Sequence, residues 1–273
     1  MKKFTVLMSL YSKEIPSYLD DCLNSLAQQT LRPNEIVIVL DGYIPDDLMR
    51  IVHKWEPCLP IKTISLDTNI GLGNALNIGL QHATYELIAR MDTDDICIPE
   101  RFEKQVKYFD EHKDTIILGG AIAEYEHDFS VMLGRRFSCN SASDIINYSL
   151  SRNPFNHMTV MFVKSFIIDV GGYKHHLYME DYNLWLRCIA NGALCHNLDT
   201  ILVHARTGKN MIKRRKGLDY IKSEVELLKL KNIVFPNNKL KIISISLLRI
   251  LTRLLPANLL SIVYKRLRNQ PTR

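Results

Sequence analysis

Three aspartates within four positions, Asp92, Asp94 and Asp95, follow the largely apolar segment 87–91. Ionised carboxylates this close repel one another, by about 4 kcal/mol per contact at 4 Å and an effective dielectric constant near 20. A strand end carries such a cluster when solvent screens it or when a cation binds there. Mg2+ and similar hard cations prefer oxygen ligands and often share them with substrate phosphates. The cluster indicates a divalent-metal site; the alternative is an acidic turn that caps a helix beginning near Pro99.

The first half of the chain alternates strand-like and helix-like segments, which is the pattern of an α/β fold with a parallel sheet. The predicted strands are residues 4–10, 35–40, 61–66 and 86–91, and the predicted helices are residues 16–29, 46–55 and 74–82. Asp41, Asp67, Asn69 and the acidic cluster each follow a predicted strand. Because ligands of open α/β sheets bind beyond the carboxyl ends of the strands, these residues are candidates for a single site.

The second half is less regular. The predicted strands are residues 116–123, 158–163 and 193–205, and a helix is predicted over residues 182–190, between Glu180-Asp181 and Asn191-Gly192. Two more helices are predicted over residues 239–255 and 257–268, with a break at Pro256.

The net charge of +6 is concentrated in the C-terminal part. After Glu226 the chain has ten lysines and arginines and no acidic residue, whereas the preceding residues hold slightly more acids than bases. This distribution argues against a duplex-binding surface over the folded body. Lys241, Arg249 and Arg253 recur at multiples of four residues beside an apolar face, which is typical of a helix in the headgroup region of an anionic membrane. The alternative is a helix that docks on the body with its cations solvated.

Six cysteines show no Cys-x-x-Cys pair and no disulfide-framework spacing, so we expect reduced thiols and a cytosolic protein. The apolar start, residues 4–8, is too short for a signal peptide, and no stretch of 18 uncharged apolar residues occurs. We therefore expect no membrane-spanning segment.

Seven short segments carry a resemblance to a known family: residues 6–11, 28–30, 36–42, 69–77, 91–95, 179–185 and 206–211. In this order they resemble the motifs of the family 2 inverting glycosyltransferases with the GT-A fold, of the kind that builds bacterial surface polysaccharides. The resemblance covers roughly residues 4–225. Because seven pieces recur in the expected order, it is specific.

The resemblance implies roles for individual residues. Asp92 and Asp94 match the aspartates that hold Mg2+ or Mn2+ against the diphosphate of the sugar donor, and Asp181 matches the base that deprotonates the acceptor. The residues implied on the nucleotide side are Ser9, Tyr11, Asp41, Asp67, Asn69, Asn74 and Thr93, together with Asp92 and Asp94. The residues implied in acceptor or diphosphate contacts are His157, Glu180, Trp185, His204 and Arg206.

The residues alone leave other interpretations open. Asp41 precedes Gly42 and could be a turn residue, and Asp181 could be an ordinary helix N-cap. Two other function classes also remain. One is a haloacid-dehalogenase-type phosphohydrolase, whose nucleophile and acid pair resembles Asp92 and Asp94. The other is a sugar-nucleotide-binding or membrane scaffold protein without turnover.

The expected fold class is α/β, namely a GT-A domain with a Rossmann-like mixed sheet over residues 1–236 and a basic amphipathic helical tail over residues 237–273. Within the domain we expect a nucleotide-sugar half over residues 1–98 and an acceptor half over residues 99–236. The expected function is metal-dependent, inverting transfer of one sugar from a nucleotide-diphosphate sugar, first of all a UDP-sugar, to a lipid-linked or oligosaccharide acceptor. We expect the enzyme to be peripheral on the cytoplasmic face of the inner membrane, with an anionic membrane surface as a partner and no nucleic acid.

Overall fold

The computed structural model describes residues 1–137, 139–207 and 218–253. The strands are β1 (Phe4–Leu10), β2 (Glu35–Leu40), β3 (Ile61–Ser65), β4 (Leu87–Arg90), β5 (Ile96–Cys97), β6 (Thr115–Tyr125), β7 (Met132–Arg136), β8 (Met161–Val163) and β9 (Leu194–Arg206). The helices are α1 (Pro16–Ala27), α2 (Asp46–Trp55), α3 (Leu72–His82), α4 (Arg101–Glu111), α5 (Ala142–Ser149), α6 (Lys164–Asp169), α7 (Glu180–Ala190), α8 (Leu218–Val234) and α9 (Lys239–Arg253).

The strands described form one mixed sheet in the order β3-β2-β1-β4-β8-β6-β9-β5, with β7 paired to β6. Strands β1 to β4 are mutually parallel, as the alternation of strands and helices predicts. Strand β8 is antiparallel to both of its neighbours, β4 and β6, and so joins the first half of the sheet to the second. The expected combination of a parallel first half and a mixed whole is therefore confirmed.

The core lies on both faces of this sheet. Phe4, Val6 and Met8 pack on the face that α1, α2 and α4 cover, whereas Leu7 packs on the opposite face with α3, because successive strand residues point to opposite sides. Helix α3 approaches the sheet closely at Gly79, where an added Cβ would lie 2.5 Å from the Leu7 side chain. All six cysteines are free thiols, and four of them are buried.

The predicted strand over residues 158–163 is too long. A turn of 3-10 helix occupies His157–Thr159, and only Met161–Val163 joins the sheet. The Thr159 hydroxyl donates to the Asn156 carbonyl at 2.8 Å, which stabilises the turn. Helices α5, α6 and α8 are not predicted from the sequence. Helix α8 escapes prediction because polar residues, Glu224 and Lys231 among them, occupy its buried face.

The C-terminal helix α9 packs against α8. It confirms the helix predicted from residue 239 as far as Arg253, while the helix predicted over residues 257–268 lies outside the described residues. Arg249 points inward, where its guanidinium donates to the buried Glu224 carboxylate at 2.7 Å. Arg249 is therefore an ion-pair partner of α8 and not a surface cation. No helix in the described part of the chain is long and apolar enough to cross a membrane.

Replacing Arg249 by Met should destabilise the protein by roughly 3–5 kcal/mol, because the Glu224 carboxylate would stay buried without this partner. The control Lys241→Met removes an exposed cation of the same helix and should change the free energy of unfolding by less than about 0.5 kcal/mol. Urea unfolding followed by circular dichroism measures both. Equal effects of the two substitutions would mean that α9 does not dock on α8.

Candidate active site

The carboxyl ends of parallel strands bring the predicted polar residues to one edge of the sheet. Ser9 lies near the end of β1, and Tyr11 follows it. Asp41 comes directly after β2, and the acidic cluster begins two residues after β4. Because β1 lies between β2 and β4, these three strand ends are neighbours. The residues that follow these strands therefore lie at a single edge of the sheet, and their role as one site stays a prediction.

The acidic cluster forms a compact set of oxygen atoms. One carboxylate oxygen each from Asp92, Asp94 and Asp95 lie within 4.8 Å of one another. Burial, and after it the charge of Asp92, raises the pKa of Asp94 to about 6. Burial, followed by the charges of Asp94 and Asp92, raises the pKa of Asp95 well above its usual value. Crowded all-oxygen ligands with mutual repulsion fit a hard divalent cation.

Two buried arginines, Arg90 and Arg101, lie next to the start of the acidic cluster. Arg90, the last residue of β4, is 1% exposed and pairs with the Asp92 carboxylate. Its Nε and Nη1 atoms are buried and have no hydrogen-bond partner among the described residues. Arg101, from α4, donates to the Arg90 carbonyl at 2.7 Å and is also buried. The Arg90 guanidinium therefore offsets part of the charge of the carboxylates, and Arg101 holds the backbone of Arg90 just before the acidic turn.

Arg206, the last residue of β9, connects the second half of the chain to the same acidic cluster. Its backbone N–H donates to the Asp95 carboxylate at 2.9 Å. The groups around its guanidinium are the Asp94 and His127 carbonyls, the Asp21 carboxylate, and the Tyr18 and Phe129 rings. His204, two residues earlier, is half-buried with its ring 5.1 Å from that of Tyr125. Both side chains are held by protein groups, so their contact with a diphosphate stays a prediction.

Asp41 is buried and organises the loop that leads into α3. Its carboxylate accepts from the N–H of Ile70 at 2.7 Å and from that of Gly71 at 3.1 Å. Asn69 donates back to the Asp41 carbonyl at 3.2 Å, and Asn74 donates to the Ile70 carbonyl at 2.9 Å. Asp67 and Asn69 are exposed. The Asp41 carboxylate, which is predicted on the nucleotide side, therefore holds the loop that contains Asn69 and leads to Asn74.

A cleft of about 210 Å3 lies beside the acidic cluster. It brings Asp92, from the end of β4, and Asp181, from the start of α7, onto one surface although they are 89 positions apart in the chain. The remaining lining residues are Leu72, Gly73, Leu76, Arg90, His157, Tyr173, Tyr178 and Glu180. The predicted metal ligand and the predicted base thus face a common space.

The Asp181 carboxylate is held at both oxygens. Oδ1 accepts from the Tyr182 N–H at 2.7 Å, and Oδ2 accepts from the Asn153 side-chain amide at 2.5 Å. Burial raises the pKa of Asp181, while the Asn153 hydrogen bond acts in the opposite direction. Burial also raises the pKa of Glu180. A carboxylate whose pKa is raised towards neutrality is suited to accept a proton.

His157 and Trp185 were both predicted on the acceptor side, and they differ in the structure. His157 lines the cleft, and its Nε2 lies 2.9 Å from the Tyr173 hydroxyl. Burial lowers the pKa of His157 well below its usual value, so the ring is neutral. Trp185 is fully buried and packs against Phe155 at 5.5 Å between ring centroids. The prediction for Trp185 is therefore wrong, because the inward face of α7 places the indole in the core.

Sequence reasoning missed four residues of this site: Arg90, Asn153, Tyr173 and Tyr178. For Arg90 a signal existed, since a lone cation in an otherwise apolar strand must find a partner when it is buried. Tyr178 has a positive φ of 65°, which is rare for a bulky residue and has no clear sequence signature. Asn153 and Tyr173 lie in irregular segments, where hydrophobic periodicity carries no information.

Comparison with known proteins decides the family. The family model described as glycosyl transferase family 2 matches residues 5–180. The chain belongs to glycosyl transferase family 2. The phosphohydrolase interpretation of Asp92 and Asp94 is therefore withdrawn.

Curated relatives of this family 2 enzyme match along almost the whole chain. The amylovoran biosynthesis glycosyltransferase AmsE of Erwinia amylovora is 44% identical over 96% of this chain and 98% of its own length. A UDP-Gal:alpha-D-GlcNAc-diphosphoundecaprenol beta-1,3-galactosyltransferase of Escherichia coli is 36% identical over 97% of this chain and 96% of its own length.

Solved structures support the fold. Residues 1–349 of TarS from S. aureus, in complex with UDP-GlcNAc, superpose with a TM-score of 0.68 at 22% identity, over 89% of this chain and 70% of that chain. The mannosyltransferase PcManGT from Pyrobaculum calidifontis, in complex with GDP-Man and Mn2+, gives 0.59 at 17% identity, over 97% and 80%. The family 2 enzyme therefore has the expected GT-A fold.

The contacts of Arg206 predict a structural effect of a conservative substitution. Arg206→Lys keeps the charge but loses the planar group that several acceptors share, so we expect a loss of about 2 kcal/mol in the free energy of unfolding. Arg135→Lys, at an exposed position of β7, should change it by no more than about 0.5 kcal/mol. Chemical denaturation measures both variants, and an unchanged stability for Arg206→Lys would mean that the guanidinium contacts of Arg206 do not stabilise the fold.

Proposed function

We propose that this enzyme transfers one sugar, with inversion, from a UDP-sugar to a lipid-linked or oligosaccharide acceptor in the biosynthesis of a bacterial surface polysaccharide. One observation carries the proposal: Asp92 of the acidic cluster and the separate carboxylate of Asp181 line the same cleft. One end of the cleft suits the charged leaving group and the other suits the proton of the incoming hydroxyl.

The donor set around Asp92 and Asp94 fits Mg2+ or Mn2+, because it is made of carboxylate oxygen atoms within 4.8 Å of one another. Burial, followed by the charge of Asp92, raises the pKa of Asp94. Asp95 is engaged by the Arg206 N–H, so we assign the metal to Asp92 and Asp94 and a supporting role to Asp95. A bound cation would neutralise the charge that develops on the diphosphate leaving group. PcManGT is named in complex with Mn2+, which supports the choice of a divalent cation.

The choice of donor and acceptor follows the relatives. UDP-GlcNAc is bound by TarS, and the 36% identical enzyme of Escherichia coli is named for UDP-Gal and a diphosphoundecaprenol-linked sugar. The cleft, at about 210 Å3, is smaller than the roughly 300–1,000 Å3 of sites for drug-sized ligands. The UDP-sugar donor and the lipid-linked or oligosaccharide acceptor are therefore proposed from these relatives and not from the cleft volume.

Asp181 acts as the base in this proposal. The acceptor hydroxyl gives its proton to Asp181 while its oxygen forms a bond to the anomeric carbon. The bond from that carbon to the donor phosphate breaks, and its electron pair leaves with the nucleoside diphosphate. Attack from the face opposite the leaving group inverts the anomeric centre. The N-terminal end of α7 favours the ionised carboxylate that this step needs.

Asp92→Asn and Asp94→Asn should each remove metal-dependent UDP binding, because each deletes a charged oxygen ligand. Asp181→Asn should leave UDP binding within about twofold and lower transfer by at least 100-fold, in line with the loss of a general base. Isothermal titration with UDP and Mn2+ and a UDP-release assay measure the two properties. Full transfer by the Asp181→Asn enzyme would remove the base assignment, and binding without any turnover by the wild type would favour a scaffold protein.

An anionic membrane surface is the partner that we propose for α9. Leu240, Leu247, Leu248 and Leu251 are each more than half exposed, and the exposed Lys239 and Lys241 lie at the start of the same helix. Such a face suits insertion into the headgroup region, with about 1 kcal/mol gained per nearby cation. Together with a lipid-linked acceptor, it supports a peripheral location on the cytoplasmic face of the inner membrane.

The membrane proposal predicts a loss of vesicle binding when the exposed leucines become polar. Replacing Leu240, Leu247, Leu248 and Leu251 by Ser should weaken binding to phosphatidylglycerol vesicles at least tenfold, since each leucine loses roughly 1.5–3 kcal/mol of burial in the lipid. Ile168→Ser, an exposed apolar position on α6, is the matched control. Unchanged co-flotation of the leucine variant with vesicles would mean that α9 does not contact lipid.

A further inference from the structure

We infer that Asn153 is a positioning residue for the Asp181 carboxylate and that helices α8 and α9 hold the segment that carries it. The inference rests on the proposed function only in taking Asp181 as the base. Asn153 lies in the irregular segment after α5, and its Nδ2 donates to Asp181 Oδ2 at 2.5 Å. The contact links two elements that are 28 positions apart.

The orientation of the Asn153 amide is determined by a second hydrogen bond. Its Oδ1 accepts from the Phe155 N–H at 3.2 Å, so the NH2 group is the end that faces Asp181. The Tyr182 N–H binds the other carboxylate oxygen at 2.7 Å. Two donors on opposite oxygens prevent rotation of the carboxylate about its own axis. Each oxygen can accept a further hydrogen bond, which leaves capacity for the acceptor hydroxyl.

Three contacts hold the chain just before Asn153. The Tyr182 hydroxyl donates to the Ser149 carbonyl at 2.6 Å, Lys231 Nζ to the Leu150 carbonyl at 3.0 Å, and Arg249 Nη1 to the Ser151 carbonyl at 2.6 Å. These carbonyls lie at the C-terminal end of α5 and just beyond it, where a helix attracts cations. Lys231 comes from α8 and Arg249 from α9, so the C-terminal helices fix the segment that ends at Asn153.

The hydrogen bond from Asn153 affects the pKa of Asp181, so a pH titration can detect its loss. Burial raises the pKa of Asp181, and the Asn153 hydrogen bond is the first of the influences that lower it. The other groups that face it are Arg90 from β4, Arg136 from β7, Glu180 and Tyr182 on its own helix, and Asp92, Tyr173 and the neutral His157 of the cleft. Without Asn153 the effect of burial is less opposed, so the pKa of Asp181 rises. The base is then protonated, and inactive, over a wider acid range.

The test compares Asn153→Ala with Asn191→Ala, which removes the same side chain at the exposed C-terminal end of α7. The acid limb of the pH dependence of kcat should move up by about one pH unit in Asn153→Ala, while the donor KM stays within twofold. Asn191→Ala should match the wild type in both. Asn153→Asp keeps the shape but puts a carboxylate beside Asp181, so its acid limb should move further. Superimposed profiles for Asn153→Ala and Asn191→Ala would overturn the inference.

Lys231→Met tests the contribution of the C-terminal helices. It keeps the apolar stem but removes the donor to the Leu150 carbonyl, so we expect a smaller shift of the acid limb in the same direction and an unchanged donor KM. A profile identical to that of the wild type would overturn the part of the inference that concerns α8.

A measurement that needs no turnover separates this inference from the proposed function. Carbon-13 NMR titration of the Asp181 carboxyl should show a higher pKa in Asn153→Ala than in the wild type, and an equal pKa would overturn the inference whether or not sugar is transferred. If the pKa depends on Asn153 but the wild type transfers no sugar from any donor, the proposed function fails and the Asn153–Asp181 contact stands.

Discussion

The mutual repulsion of Asp92, Asp94 and Asp95 is the constraint on which the rest of this structure depends. Carboxylate oxygens from all three lie within 4.8 Å, two of them in largely buried surroundings that raise the pKa of Asp94 and Asp95. The fold offsets this repulsion with the guanidinium groups of Arg90, which pairs with Asp92, and of Arg206, which lies beside Asp94. Because Arg206 arrives on β9, the acidic turn of the first half is complete only when the second half of the sheet has formed.

The same sheet topology places a second carboxylate opposite the first. Strand β8, antiparallel to β4 and β6, brings the second half of the chain beside β4, and the chain then returns through α7 to the cleft. Asp181 is the second residue of that helix. Asp92 of the acidic cluster and the hydrogen-bonded carboxylate of Asp181 therefore line one cleft, although they come from different segments of the chain. This separation suits the inverting transfer that we propose, in which the leaving group and the base act on opposite faces of the sugar.

Much of this arrangement can be predicted from the sequence, and the reasons are physical. Strands β1 and β2 begin and end where the apolar runs do, since buried parallel strands are apolar on both faces. A strand end, a helix start and the resemblance to family 2 predict Asp92 and Asp181 as site residues, and the structure places both in one cleft. The prediction for Trp185 fails because sequence alone does not show whether an aromatic side chain on this helix points into the core or towards the cleft. The inward contacts of Arg249 and Lys231 cannot be predicted from the sequence, because sequence patterns do not reveal the buried partner of a charged side chain.

The most direct test of the account is a crystal structure of the enzyme with UDP and Mn2+, with an anomalous difference map collected for manganese. We predict one strong peak within roughly 2.0–2.3 Å of oxygens from Asp92, Asp94 and the diphosphate, with Asp181 across the cleft from the phosphates. A peak away from the acidic turn, or a diphosphate bound on the same side of the cleft as Asp181, would contradict it.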